Sequence, residues 1–206
     1  QSNLYPKVTP AGAYYAVTSE TPSASRTLLY SLLKASPTEV ISSEKILAWA
    51  DTSDIDTALN LLYRLQRLEF LYGDENASNE DIHLTDEQLP SVLEQLSSSG
   101  KALLADENGL YFANANFHHE AAEELGLLAS EVTKMDSSHR LLIRNNLHIN
   151  NNAWGICDLS GQSELTFFPL YIGNTKLILV IGGMPDLNKE AFVTLVKVLY
   201  HRYGSR

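Results

Sequence analysis

His118, His119, Glu120, Glu123 and Glu124 form the densest group of metal-capable side chains in this sequence. His119 and Glu123 would share a helix face, four residues apart. Acids at the start of a helix have a second explanation, because they complement the helix dipole. No further His or Cys pair stands at ligand spacing to complete a site, so no metal is expected. Cys157 is the single cysteine and lies beside Ile156 in an apolar stretch. A buried thiol is inert, whereas a nucleophile needs an exposed, electropositive setting. The sequence holds no G-x-S-x-G elbow, Walker loop, G-x-G-x-x-G fingerprint or H-E-x-x-H pair. Gly182-Gly183 lacks the Lys and Ser/Thr that would cradle a phosphate, and reads as a strand exit. Asn76-Ala77-Ser78 matches a glycosylation acceptor, but no basic and apolar leader that would direct secretion is visible. The expectation is a protein without catalytic residues, cofactor or metal.

What remains is a surface that recognises something. The chain carries 25 acids against 15 bases, a net charge of −10, and phosphate backbones repel such a chain unless its bases cluster. Hydrophobic residues make up 44% and charged residues 19%, which excludes a disordered chain. One cysteine excludes an internal disulfide and fits a reducing, cytoplasmic setting. No apolar run approaches the roughly 18 residues that span a bilayer, so no membrane insertion is expected. The apolar run Leu177 to Ile181 reads as a strand.

Across 206 residues, three segments are expected. Residues 1–25 form an extended lead-in with a tag scar, Gln1-Ser2-Asn3, at its start. Pro6, Pro10 and Pro22 punctuate it, and Ala13 to Val17 reads as a short strand or an arm. Residues 26–84 begin with Thr27 to Lys34, where Leu28, Leu29 and Leu32 share a helical face. Ser42-Ser43-Glu44 opens a second helix with Ile46, Leu47 and Trp49. Ser53 is expected to cap a third, with Asp56 bonding back. Its expected buried stripe is Ile55, Ala58, Leu59, Leu62, Leu65 and Leu68. Phe70 to Tyr72 reads as a strand, Gly73 to Glu80 as a loop and Ile82 to Leu84 as a return strand. Three helices and a hairpin follow the winged-helix order, and "DTALNLLYRLQRLEFLYGDE" looks like that fold's third helix and wing.

Residues 85–206 change rhythm. Leu89 to Leu96 reads as a helix ending at Ser97-Ser98-Ser99-Gly100. Two strands, Lys101 to Ala105 and Leu110 to Ala113, flank Asp106-Glu107-Asn108-Gly109, whose Asn-Gly pair suits a tight hairpin. His119 to about Met135 reads as a helix with Ala122, Leu125, Leu128, Val132 and Met135 on or near one face. Arg140 to Asn152 continues that helix or forms an extended loop. Trp154 to Leu159, Leu165 to Ile172 and Lys176 to Ile181 read as strands, and Leu187 to Tyr200 as a closing helix.

This half resembles the Roadblock family, which includes dynein light chains and bacterial partners of small GTPases. The match lies in "KALLADENGLYFANANF", where Asp106, Gly109, Leu110 and Ala113 fill the places of the family's hairpin hallmark. "GNTKLILVIGG" resembles its last strand. The resemblance covers about 120 residues and departs from the family between Asp136 and Asn152, where the family's link is shorter. It implies an α-β-β-α-β-β-β-α sandwich with one five-stranded antiparallel sheet; with the winged helix read in residues 26–84 before it, the expected fold class is α+β. It further implies a non-catalytic, cytoplasmic homodimer that binds and regulates a small Ras-like GTPase. The expected dimer interface is Leu125, Leu128, Val132, Trp154 and Ile156.

The winged helix raises the alternative of a transcription regulator with a dimerising or ligand-sensing α/β domain. Residues 26–84 hold five bases and ten acids. Asp54 and Asp56 stand where a recognition helix would meet the bases, and counterion release needs several Lys or Arg on phosphates. Nucleic acid is therefore not the expected partner. Asn60, Tyr63, Arg64 and Arg67 are the expected contact surface, used for protein.

Overall fold

A computed structural model describes residues 3–79 and 83–204. In chain order the elements are β1 (Tyr5–Val8), α1 (Pro10–Val17), α2 (Ala24–Lys34), α3 (Ser43–Ala50), α4 (Ile55–Arg67) and β2 (Leu71–Asp74). Then come α5 (Leu89–Glu94), β3 (Lys101–Asp106), β4 (Tyr111–Ala115) and α6 (His119–Ser138). A π-helical turn (Leu142–Asn146), β5 (Trp154–Cys157), β6 (Ser163–Ile172), β7 (Thr175–Gly182) and α7 (Glu190–Tyr203) complete the chain. Two compact units form: Gln1–His83 with Asn188–Gly204, and Leu84–Leu187.

The first unit is helical. Its opening residues are not an extended lead-in. Thr9 caps α1 by accepting from the Gly12 N–H at 3.1 Å, and Pro10 stands at the first helical position, where a missing N–H costs nothing. Ala13 and Val17 are fully buried, so the stretch expected as a strand or arm is a packed helix. A Cβ on Gly12 would lie 2.1 Å from the Phe70 carbonyl oxygen, so only glycine lets α1 approach the exit of α4.

Leu28, Leu29, Leu32 and Leu33 of α2 are buried, as are Ile46 and Trp49 of α3. The cap of α4 is Asp54 rather than Ser53; its carboxylate accepts from the N–H groups of Asp56 (3.3 Å) and Thr57 (3.1 Å). The buried stripe of α4 is Ala58, Leu61 and Leu65, while Leu59 and Leu68 face water. β2 pairs antiparallel with β1, and Lys7 meets Asp74 at 2.6 Å. Of the expected return strand, His83 and Leu84 are not strand, and Ile82 lies outside the described residues, as does Glu80 of the preceding loop. The closing helix α7, expected with the second domain, belongs to this unit. Tyr200 meets Tyr30 edge-on at 4.7 Å, Phe192 faces Tyr14 at 6.2 Å, and the Tyr30 hydroxyl and Lys34 both donate to the Gly204 carbonyl.

The second unit is built on a five-stranded antiparallel sheet of order β4-β3-β7-β6-β5. Its elements run helix, two strands, helix, three strands, as expected, but without the closing helix that the expected order placed here. α5 packs on β3 and β4, and α6 crosses the sheet against β3, β4, β6 and β7. The face under α6 holds Leu103, Ala105, Phe167, Ile178 and Val180. Both hairpins outside the centre close with one device. Asp106 accepts on Oδ1 from the N–H groups of Asn108 (2.9 Å) and Leu110 (3.0 Å), and Gly109 takes φ +92°. Asp158 likewise accepts on Oδ1 from Ser160 (2.8 Å) and Gln162 (3.0 Å), with Gly161 at φ +81°. Each carboxylate replaces the backbone acceptor that a looser turn lacks. The first turn is thus an Asp-x-x-Gly turn with one left-handed residue, not the two-residue Asn-Gly turn the dipeptide suggested, because Asn108 keeps negative φ.

Candidate interaction surface

α6 decides what the second unit shows to its surroundings. Its inward residues are Ala122, Gly126, Ala129, Ser130, Thr133 and Asp136. These are small, so the helix backbone sits close to the sheet. The closest point is Gly126, where a Cβ would lie 2.4 Å from the Gly109 carbonyl oxygen. Ser130 Oγ adds a 2.8 Å bond to the Glu107 carbonyl. The β3–β4 turn and the middle of α6 are therefore fitted to each other, and Gly109 serves both its own turn and this contact.

That packing turns the larger apolar residues outward. Leu128 is 38% exposed and Met135 42%, one helical repeat of seven apart, while Leu125 and Val132 are half-buried against the sheet core. The residues expected on or near one face are thus divided, with Ala122 inside and Leu128 and Met135 outside. Beyond α6 the exposed apolar surface continues through Leu141 and Leu142 into the π-helical turn. The segment 140–152, which the sequence left open between helix and loop, is helical through this turn and then runs without regular structure to β5, with His148 at φ +55°.

β5 pairs only with β6 and forms the rim of the sheet. Trp154 and Ile156 pair with Phe167 and Leu165, and so share the α6 face of the sheet. Ile156 is 54% exposed, and Cys157 is exposed as well, which corrects the expectation of a buried thiol. Trp154 is half-buried because it is held: its indole N–H donates to Asp136 Oδ1 at 2.8 Å. Asp136 itself is 3% exposed and forms an ion pair with Arg140, one helical turn on. Burial works against the Arg140 charge, but Tyr171 and Asp136 outweigh it and hold the guanidinium above its ordinary value. Arg144 donates to Asn152 at 3.3 Å. These bonds tie the end of α6 to β5 and β6. Of the five expected interface residues, Leu128 and Ile156 therefore present apolar surface, Leu125 and Val132 mostly fill the core, and Trp154 is pinned at the border.

Asp136, Arg140 and Tyr171 support this surface from beneath and were not singled out from sequence. The signal for the first pair was present as an Asp and Arg four residues apart.

On α4, Asn60, Tyr63, Arg64 and Arg67 all face water on one side of the helix, with Tyr63 62% exposed. Arg64 donates to Ser25 Oγ at 2.7 Å, and Arg67 stacks over the Tyr63 ring at 5.9 Å. Both guanidinium groups thus have partners within the chain. His119 lies 2.7 Å from the Tyr111 hydroxyl and 3.4 Å from Glu123 on the exposed side of α6. Among the described residues no group of three or more His, Cys, Asp or Glu could hold a metal ion, and no helix is long and apolar enough to cross a membrane.

No family model matches the chain, and no curated protein matches it. Among solved structures, the chain is similar to the Roadblock/LC7 domain from Streptomyces avermitilis, with 17% identity and a TM-score of 0.39. The likeness covers 57% of this chain and 94% of that one.

Proposed function

We propose that the protein is a non-catalytic interaction module that pairs with a second copy through β5 and the outer face of α6. The observation that carries this reading is a rim strand with no strand on its outer side and Ile156 half-exposed, together with a helix that turns Leu128 and Met135 to water. A free strand edge offers unsatisfied N–H and C=O groups and recruits a partner or aggregates. Light scattering coupled to gel filtration is expected to give twice 22.8 kDa. A monomer at tens of micromolar, where a weak specific interface would already be populated, would refute it.

The paired module then serves as a platform for a small Ras-like GTPase in the cytoplasm. The resemblance of the Asp106–Ala113 hairpin to the Roadblock hallmark supports this step. The exposed face of α4, with Tyr63 and Arg67, is a second protein contact on a winged-helix-like unit; its excess of acids and the internal partners of Arg64 and Arg67 speak against a nucleic acid. A titration with a Ras-like GTPase loaded with a non-hydrolysable GTP analogue or with GDP tests the platform. Tighter binding of the GTP form is expected, because the γ-phosphate orders the switch loops. Equal affinity would leave a static scaffold, since a ligand shifts a two-state equilibrium only by its differential affinity.

A further inference from the structure

The π-helical turn after α6 holds a dense group of exposed aliphatic side chains. Leu141 is 75% exposed and Leu147 56%, with Leu142 and Ile149 exposed beside them. The backbone that carries them is fixed. The Leu147 N–H donates to the Leu142 carbonyl, five residues back, at 3.0 Å, and the Ile149 N–H donates to the Ile143 carbonyl at 3.0 Å. A contiguous apolar patch held in water marks a contact surface. The charges around this one are of a single sign. The chain has 25 acids, yet residues 137–157 contain no Asp or Glu. The same stretch carries His139, Arg140, Arg144 and His148. The acid just before it, Asp136, is buried and paired with Arg140. Arg144 bonds the neutral Asn152 at 3.3 Å and pairs with no acid among the described residues.

A patch that is aliphatic at its tip and basic at its border fits an anionic partner. It does not fit a second copy of itself, because apposed copies of this stretch would bring base to base with no acid to answer. We infer that the turn 140–149 docks the protein on an anionic lipid surface. Leu141, Leu142, Leu147 and Ile149 enter the boundary between headgroups and acyl chains, and Arg144 lies among the anionic headgroups. Two observations favour lipid over an acidic protein. Residues 137–149 hold no Trp, Tyr or Phe, the aromatic anchors in which protein interfaces are rich. Leu141 stands almost wholly in water, whereas a groove for a partner helix would cover its apolar wall; a soft bilayer needs no matching groove. No helix among the described residues is long and apolar enough to cross a membrane, so the contact is adhesion to one leaflet. The net charge of −10 opposes approach to such a surface, which makes the docking reversible and orients the chain with this turn toward the lipid. The inference is independent of the pairing through β5.

The test is sedimentation of the full chain with vesicles of phosphatidylcholine alone and with vesicles in which about a third of the lipid is phosphatidylserine. The wild type is expected to pellet with the anionic vesicles, and about tenfold less with the neutral ones. Raising salt to about 0.5 M should release it, as the screening length shortens. L141D/L142D sets two carboxylates where the aliphatic tip stands and is expected to weaken binding to anionic vesicles about tenfold or more. L159D is the control for unspecific apolar adhesion. Leu159 is fully exposed too, but it follows Asp158 at the other end of β5, so this variant should bind as the wild type does. Circular dichroism identical to wild type keeps the comparison within folded proteins. A wild type that stays in the supernatant overturns the inference, as does equal binding to both kinds of vesicle. L141D/L142D binding as the wild type does, or L159D weakened as much as L141D/L142D, overturns it as well. Soluble poly-glutamate bound through Leu141 and Leu142, with no binding to vesicles, would assign the patch to an acidic protein and overturn the lipid reading.

Discussion

Replacing Asp136 with Ala is expected to loosen the rim of the sheet more than any other single change in the second unit. Asp136 is 3% exposed and accepts from the Trp154 indole at 2.8 Å and from Arg140. Without it, Arg140 keeps only a long 3.5 Å contact to Tyr171. Breaking a fully buried ion pair by removing one partner costs about 3–5 kcal/mol. The Arg140 side chain retains 23% exposure, so part of its charge is recovered by water. We take roughly half of that range, and add about 1 kcal/mol for the indole bond. The expected loss is about 2–4 kcal/mol. D136N keeps an acceptor for Trp154 but loses the charge, so it should fall between D136A and wild type. Urea unfolding followed by tryptophan emission measures this, and Trp154 reports locally because Trp49 is buried in the other unit. W49F removes the second signal. A D136A midpoint within about 0.5 kcal/mol of wild type, the ordinary range for surface substitutions, would refute the account. So would D136N matching D136A, which would make the charge irrelevant.

Gly126→Ala places a methyl 2.4 Å from the Gly109 carbonyl oxygen, so α6 must move off the turn. Overpacking of this kind costs about 1–3 kcal/mol and should exceed the roughly 1 kcal/mol gained in helix propensity; an unchanged or higher urea midpoint would contradict the close approach. Leu128→Asp and Ile156→Asp, at 38% and 54% exposure, should leave the fold intact yet give a 22.8 kDa species in light scattering, and a persistent dimer would place the interface elsewhere. Burial, helped by His83, Lys34 and Lys197, lowers the His201 pKa. The unfolded chain therefore takes up that proton first, and stability that is whole above about pH 6.5 declines as pH falls below it. H201N should flatten that first decline in thermal unfolding, while a second decline remains below the ordinary carboxylate range. There Asp74, held down chiefly by Lys7, and Asp158, held down chiefly by Ser160, are protonated. An H201N profile parallel to wild type would remove His201 from the account.

Most elements were legible because period and punctuation agreed. The alternating and continuous apolar runs of β3, β6 and β7 fall within one or two residues of their expected limits, and α2 buries the leucines its spacing placed together. The exceptions have local causes. Thr9-Pro10 was a helix start, an N-cap followed by proline at the first position, but Pro10 among other prolines read as loop. The Ser53-Asp54 pair offered two caps, and the chain uses the carboxylate, which reaches two N–H groups at once. The Asn-Gly dipeptide suggested a two-residue hairpin, yet Asp106 two positions earlier supplies an acceptor that stabilises a longer turn. Period alone could not assign α7, because an amphipathic helix does not say which core it covers.

The interaction surface was harder to read for one reason: hydrophobic periodicity marks a helix face but not which side of it touches the sheet. On α6 two faces compete. One carries Leu125, Leu128, Val132 and Met135, and by transfer free energy it should be buried. The other carries Ala122, Gly126, Ala129 and Ser130. The sheet beneath is already filled by Leu103, Phe167, Ile178 and Val180, and the β3–β4 turn reaches up at Gly109, so only the small face fits at contact distance. The cost is borne by Leu128 and Met135, left partly in water. Exposure of Cys157 and Ile156 follows from similar logic, since rim position depends on strand order and no residue in β5 encodes it. A sequence reading that weighed residue size as well as polarity would have found which side of α6 meets the sheet. A helix rich in Ala, Gly and Ser on one side and in Leu and Met on the other is closely packed through its small side, and its large side is the one open to a partner.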